Sequence, residues 1–366
     1  VRTSVETITD LQNLAQTGFS DWKSLGEIYV AERGPLRLFN YTAKAQFEGR
    51  WNFIERISRG LILNAETGEV VARPFDKFFN WGEGGRYSDA PIKKVTEKID
   101  GSLGILYREN GGFRVATRGS FDSDQAVWAT EFLNRNYNLD DLPPALTLLF
   151  EIVYPANRIV IDYQKEDLVL LAARSRFTGG FLSPEELRHI AEIYKFSVPF
   201  AFRFETPDKI VEAAKVLPPT AEGWVAEFAD GERFKFKGDE YRKLHKLISG
   251  LSFKSILAHV EAGTLAEAMS IIPDEYLAEV RGWEKQILEV IARAEYLIGL
   301  VFYQAPKASR KEFALWANEY HPSLAAYLFA MWDNRPLKPL IFKFGFKEEN
   351  GETQNQADLP GSPGPA

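Results

Sequence analysis

The sequence predicts an α+β protein, with an N-terminal domain of antiparallel sheets followed by an all-helical C-terminal domain. Three observations lead there. Between residues 91 and 238, short apolar runs alternate with turn dipeptides, as in "LGILYREN-GG-FRVATRG", "TLLFEIVYP" and "EGWVAEFADGERFKFKG". After about residue 240 that pattern stops. There "DEYLAEVRGWEKQILEVIARAEYLIGLVFYQ" and "SRKEFALWANEYHPSLAAYLFAMW" repeat apolar residues at helical spacing. Finally, 366 residues with 45% hydrophobic and 26% charged content suit two domains, each able to bury a core. The boundaries follow as 1–240 for the sheet domain and 241–345 for the helical one. Residues 346–366 hold the polar "KEENGETQNQADLPGSPGPA" and read as a disordered tail.

Along the chain, residues 1–90 mix helical and extended signals and include "ERISRGLIL" and "VVARPFDKFFNWGE". Gly111-Gly112 marks a hairpin between two extended runs. "TLLFEIVYP" and "DLVLLAARS" are short apolar runs of the kind that form buried strands. The segment 183–215 turns helical, with Ser183 able to cap "SPEELRHIAEIYKF" and Pro184 able to open it. A second hairpin covers 222–238. With a two-residue Asp230-Gly231 turn, Ala226 faces Lys235 and Trp224 faces Lys237. Glu222, Trp224 and Ala226 then share one face with the lysines, while Phe234 and Phe236 take the other. Two lysines at i and i+2 repel, so that face suits an anion between them.

Composition narrows the chemistry. There is no cysteine, which removes disulfides, thiolate metal sites and cysteine nucleophiles. The histidines (His189, His245, His259 and His321) are not at metal-ligand spacings. Any metal is therefore a hard ion held by oxygen, Mg2+ or Mn2+. A net charge of −7 argues against a protein that coats nucleic acid, yet leaves room for a local basic groove. No run approaches the roughly 18 apolar residues of a membrane span, and no signal-peptide pattern opens the chain. The expected setting is cytoplasmic, with no membrane partner.

The reactive candidate is Lys98, in "KIDGS" at 98–102. A lysine amine is a weak nucleophile while protonated, and nearby cations, a divalent ion or desolvation ease its deprotonation. Asp100 is placed to orient the amine or hold metal-bound water. Gly101 allows close approach to a ligand or a positive φ. Further along lie "TRGS" at 117–120, "FEIV" at 150–153, "LLAARS" at 170–175, "EGWV" at 222–225 and "KFK" at 235–237. In that order and spacing the series resembles the covalent nucleotidyltransferase superfamily of ligases and RNA-capping enzymes. With "LFNY" at 38–41, "SRG" at 58–60, "RPFDKFFN" at 73–80 and "EIVYPANRIVIDY" at 151–163, residues 30–245 resemble the tRNA-repairing bacteriophage RNA ligase family.

The resemblance implies an N-terminal adenylyltransferase domain and a helical domain that sets RNA specificity. It implies ATP as co-substrate, Mg2+ or Mn2+ as cofactor, and RNA with 5′-phosphate and 3′-hydroxyl ends, such as nicked tRNA, as partner. Lys98 would receive AMP. Tyr41, Arg59, Lys77 and Glu151 would bind the nucleotide, and Lys235 and Lys237 would grip the α-phosphate. Asp100, Glu151 and Glu222 would reach the metal mainly through water, and Tyr241 and Arg118 would serve RNA joining. Arg118 stands where the family has a lysine, which keeps the charge but changes the geometry. In the helical domain "PDEY" at 273–276 is the best local match, and the family's acidic metal-linked position falls near Gly263-Thr264, with Glu261 close by. Lys307, Arg310 and Lys311 read as ordinary surface, with RNA contact as the alternative. No GxxxxGK[ST] phosphate loop occurs, so end-healing kinase activity is not expected.

Overall fold

Thr7 opens the first helix, α1 (Ile8–Gln16), through a capping box with Asp10. The computed structural model to which it belongs describes residues 5–269, 272, 276–349 and 352–354. The chain then forms β1 (Ile28–Arg33) and β2 (Leu36–Tyr41), turns through α2 (Ala43–Glu48) and α3 (Phe53–Ile57), and returns as β3 (Arg59–Asn64) and β4 (Val70–Ala72). These four strands form one antiparallel sheet in chain order. Leu11, Trp22, Phe39 and Leu61 bury one of its faces.

Next come β5 (Phe79–Asn80), β6 (Ile92–Glu97), β7 (Ser102–Glu109), β8 (Gly112–Ala116), α4 (Asp124–Asn136), β9 (Leu146–Val153) and β10 (Asp167–Ser175). They are followed by α5 (Pro184–Tyr194), β11 (Ala201–Phe202), α6 (Pro207–Lys215), β12 (Gly223–Phe228), β13 (Arg233–Lys237) and α7 (Asp239–Ile248). Two further sheets result, β10-β9-β7-β8 and β11-β6-β12-β13-β5. All their pairings are antiparallel except β13 with β5, which is parallel. The β7–β10 sheet is covered on both sides. Ile105, Tyr107 and Leu149 pack with Leu38, Ile62 and Ala72 of the first sheet, while Leu106, Phe150 and Leu168 pack with Ala129 of α4 and Leu187 of α5. β6 belongs to one of these two sheets and β7 to the other, so Lys98–Gly101 is the crossing between them.

Ser183 caps α5 with Pro184 in its first turn, as expected. Three local expectations are corrected. The first hairpin turns on Asn110-Gly111, with Glu109 facing Gly112; both turn residues have positive φ (50° and 81°), the signature of a type I′ turn. The segment 124–136, read as part of the strand region, is the helix α4. Its signal was present: Ser123 caps it, and Ala126, Ala129 and Leu133 recur on one face, but two alanines make a faint apolar stripe.

The third correction concerns the 222–238 hairpin. Its loop has three residues, because Phe228 and Glu232 close it and Gly231 N–H returns to the Phe228 carbonyl. Val225 therefore faces Lys235 and Trp224 faces Phe236. A one-residue slip moves every side chain to the other face. The observed register puts Trp224, Ala226, Phe228, Phe234 and Phe236 together in one buried cluster, with Trp81 stacked between Phe228 (5.5 Å) and Phe236 (5.3 Å). Burying one large side chain is worth about 1.5–3 kcal/mol, so leaving Trp224 among lysines would lose that stabilisation.

The chain divides into two compact units at 249/250. In the second, α8 (Phe253–Ala262), α9 (Leu265–Ala268), α10 (Leu277–Gln304), α11 (Arg310–Tyr320), α12 (Ala325–Trp332) and α13 (Lys338–Gly345) precede the short pair β14 (Lys347–Glu349) and β15 (Glu352–Gln354). Phe313 anchors α11, with Trp332 at 4.4 Å and Phe329 at 5.4 Å. Gly263 is the left-handed C-cap of α8, and Thr264 Oγ1 bonds His259 Nδ1 at 2.9 Å. Lys307 donates to the Phe302 carbonyl and Arg310 pairs with Asp333. Pro273, Asp274 and Glu275 of "PDEY", and residues 350, 351 and 355–366 of the tail, lie outside the described residues, while the β14–β15 pair stands where the tail was expected to be disordered. No helix among the described residues is long and apolar enough to cross a membrane.

Gly223 begins β12 at φ +140°, and a Cβ there would lie 1.9 Å from the Phe236 carbonyl oxygen. The backbone strain alone is on the order of 1–3 kcal/mol. Gly223→Ala should therefore lower the thermal midpoint by roughly 5 °C or more, read by circular dichroism.

Candidate active site

Lys98 stands one residue beyond β6, where its backbone N–H still bonds the Gly223 carbonyl at 2.9 Å. Gly223 in turn faces Lys237 across β12 and β13. Just before Gly223, the Glu222 carboxylate bridges the two cations: Lys98 Nζ donates to Oε2 at 2.7 Å, and Lys237 Nζ lies 3.3 Å from Oε1. Glu222 is only 3% exposed, whereas Lys98 keeps 20% of its side chain open. A buried carboxylate is tolerable only with such partners. Its own carbonyl is held by Gly238 N–H at 2.8 Å.

Asp100 does not contact the amine. Oδ2 accepts the N–H groups of Val160 (2.9 Å) and Ile161 (2.8 Å), and Oδ1 accepts Tyr241 O–H at 2.8 Å. Asp100 (4% exposed) and Tyr241 (1%) are both buried, so the aspartate ties the crossing to α7 and to the 158–161 loop. Gly101 has no positive φ. It is required by β9, since a Cβ would lie 2.6 Å from the Ile152 carbonyl oxygen and 3.0 Å from Glu151 Cγ. Glu151 has its carboxyl pushed up to about 7. Burial is the main cause; Glu222 and Asp100 add to it, while Lys98 and Arg59 oppose it.

The segment "RPFDKFFN" is held by Arg174. This buried guanidinium donates to the Pro74 carbonyl and to both oxygens of Asp76 (2.8 and 3.3 Å). The loop so fixed supplies Phe75, Lys77 and Phe78. Lys77, expected on a nucleotide phosphate, is 2% exposed and caged by Tyr41, Trp51 and Phe79 at 5.3, 5.1 and 5.5 Å. Tyr41 O–H accepts Arg118 Nη1 at 3.0 Å.

These elements enclose a cleft of about 570 Å³, within the range of small-molecule sites. Lys98, Arg59, Arg118, Glu151, Lys235 and Lys237 line it. Tyr41, Lys77, Asp100, Glu222 and Tyr241 do not; they are buried behind it. Phe75, Phe78, Leu171 and Val225 give the cleft apolar walls. Among the described residues, no group of three His, Asp or Glu side chains could hold a metal ion directly.

Residues 57–241, which contain every one of these cleft side chains, match the RNA ligase family. The chain belongs to that family. It is 30% identical over 207 residues to "Putative RNA ligase" of Thermovibrio ammonificans, covering 52% of this chain and 53% of that protein. It is 33% identical over 219 residues to "Putative bifunctional polynucleotide kinase/RNA ligase" of Autographa californica nuclear polyhedrosis virus, covering 51% and 30%. RNA ligase 1 of bacteriophage TS2126 is 28% identical over 268 residues, covering 66% and 62%. The chain thus matches about half of the first of these proteins and less of the second. Among solved structures, "Putative ATP-dependent DNA ligase" from Aquifex aeolicus aligns at TM-score 0.46 and 19% identity, over 72% of this chain and 68% of that one.

Two cleft cations of this RNA ligase family member were missed in the sequence, Lys94 and Arg233. Lys94 stands four positions before Lys98 and Arg233 two before Lys235, each on the same strand face, so period-2 alternation through "KVTEK" and "RFKFK" would have found them.

Tyr241→Phe removes the hydroxyl that Asp100 accepts. It should destabilise the protein by about 1.5–3 kcal/mol in urea titration, the worth of a hydrogen bond to a charged group. Glu151 has a definite pH consequence. Folded, its carboxyl keeps a proton up to about pH 7, whereas the unfolded chain releases it near 4.5. In that window the folded state binds more protons, so raising the pH weakens folding. Glu151→Gln should flatten that part of the stability–pH profile.

Proposed function

We propose that this chain is an ATP-dependent RNA ligase that joins 3′-hydroxyl and 5′-phosphate RNA ends, such as those of nicked tRNA. One observation carries the reading. A lysine at the crossing of two sheets faces a cation-lined cleft, and a buried glutamate holds it beside a second lysine. Family membership supplies the RNA.

Lys98 attacks the α-phosphorus of ATP, forming a P–N bond as the P–O bond to pyrophosphate breaks. The proton on the amine leaves through Glu222, the carboxylate it already touches. AMP then passes to an RNA 5′-phosphate, and a 3′-hydroxyl displaces it to form the phosphodiester. Each step is an in-line displacement at phosphorus, where orientation and charge neutralisation do most of the work. Lys235 and Lys237 neutralise the α-phosphate, and Arg59 and Arg118 extend the cationic lining along the rest of the substrate. Glu151 is placed for the ribose. Behind the cleft Tyr41 holds Arg118 and Lys77 packs on the Tyr41 ring, and Asp100 with Tyr241 fixes the loop that carries Lys98.

Mg2+ or Mn2+ brought with ATP would be met through water by Glu151, which lines the cleft, whereas Glu222 lies behind it with one oxygen on each lysine. Asp100 has its oxygens already taken by three donors. Such an ion supplies further neutralisation of phosphate charge.

The test is incubation with radiolabelled ATP. Lys98→Ala should form no covalent AMP adduct, and Lys237→Ala should lose it while remaining folded. Adduct on the Lys98 variant would overturn the assignment. GTP in place of ATP, and nicked DNA in place of 5′-phosphorylated RNA, should give little product.

A further inference from the structure

On the cleft face of the five-stranded sheet, side chains fall in cross-strand rows. Lys98, Gly223 and Lys237 form the row that holds the nucleophile. Thr96, Val225 and Lys235 form the next, and Lys94, Glu227 and Arg233 the third. Rows lie two residues apart, so the third is about 13 Å from the first along the strand. An adenylate anchored by its phosphorus at the first row reaches across ribose and purine over a span of that order. Val225 in the middle row, with Phe78 and Leu171, offers apolar surface to a purine face.

The third row is polar, and its members differ in one respect. Glu227 accepts Lys93 Nζ and Arg233 Nη2, each at 2.8 Å. Arg233 also lies over the Phe181 ring at 3.9 Å. Lys94 lines the same cleft and is only part-exposed, yet its ammonium makes no hydrogen bond or ion pair among the described residues. Burial holds its amine below the usual lysine range; Glu227 opposes this, while Arg233 and Lys93 add to it. A desolvated donor without an acceptor is costly unless a ligand provides one. An ammonium has only donors, so the acceptor must carry a lone pair.

We propose that Lys94 is a base-reading residue of the nucleotide site, donating to a ring nitrogen on the purine edge farthest from the phosphates. The proposal rests on the reading that ATP occupies this cleft. It assigns nucleotide selectivity to the third row and phosphate chemistry to the first.

The experiment measures AMP-adduct formation against concentration for ATP, 1-deaza-ATP and 7-deaza-ATP, with wild type and Lys94→Met. Wild type should need about tenfold more 1-deaza-ATP, which lacks the ring nitrogen on that edge, for half-maximal rate, and should use 7-deaza-ATP as it uses ATP. Lys94→Met should need about tenfold more ATP than wild type and should no longer distinguish ATP from that analogue. The proposal is overturned if wild type uses ATP and 1-deaza-ATP alike, which requires no variant to fold. It is also overturned if Lys94→Met discriminates as wild type does. No adduct with ATP on the wild-type protein would sink the ligase reading first, and this assignment with it.

Discussion

A carboxylate shut away from water must be met by charge of the opposite sign, and Glu222 meets this demand with two lysines from different strands. Lys98 comes from the end of β6 and Lys237 from the end of β13. The backbone repeats the arrangement, since Gly223 gives its carbonyl to Lys98 and takes its place opposite Lys237. Removing either lysine would leave the buried charge with one partner, an expensive state. The same geometry that satisfies Glu222 therefore aims Lys98 at the cleft.

A second buried carboxylate works differently. Asp100 takes three donors from two other segments and none from the amine two residues before it. Arg174 does the equivalent for the 73–80 segment through Asp76 and the Pro74 carbonyl. The motif residues thus separate into those that line the cleft and those that hold the lining in place. Tyr41 and Lys77 belong to the second group: the Tyr41 hydroxyl holds Arg118, and Lys77 lies over the Tyr41 ring.

Much of this was legible in the residues themselves. Strand runs, the Ser183-Pro184 helix start, the onset of the helical region and the order of the motif lysines all lie in short windows of sequence. The hairpin at 222–238 failed for a specific reason. Asp230-Gly231 is compatible with a two- or a three-residue loop, and both keep perfect alternation. Only the burial of Trp224 in one cluster with Phe228, Phe234 and Phe236 selects between them. α4 was hidden because two alanines carry most of its buried face. The partners of Asp100 were out of reach because Val160 and Tyr241 lie far along the chain.

The sequence by itself determined the fold class, the family and the identity of the cleft's principal cations, because local periodicity and motif order depend on neighbours within a few residues. Tertiary structure alone decided the hairpin register, the side of the sheet on which each lysine falls, the pairing of Glu222 with two of them, and the commitment of Asp100 to α7. Those are choices among locally equivalent alternatives. They are settled by burial and by charge pairing between segments that meet only when the chain has folded.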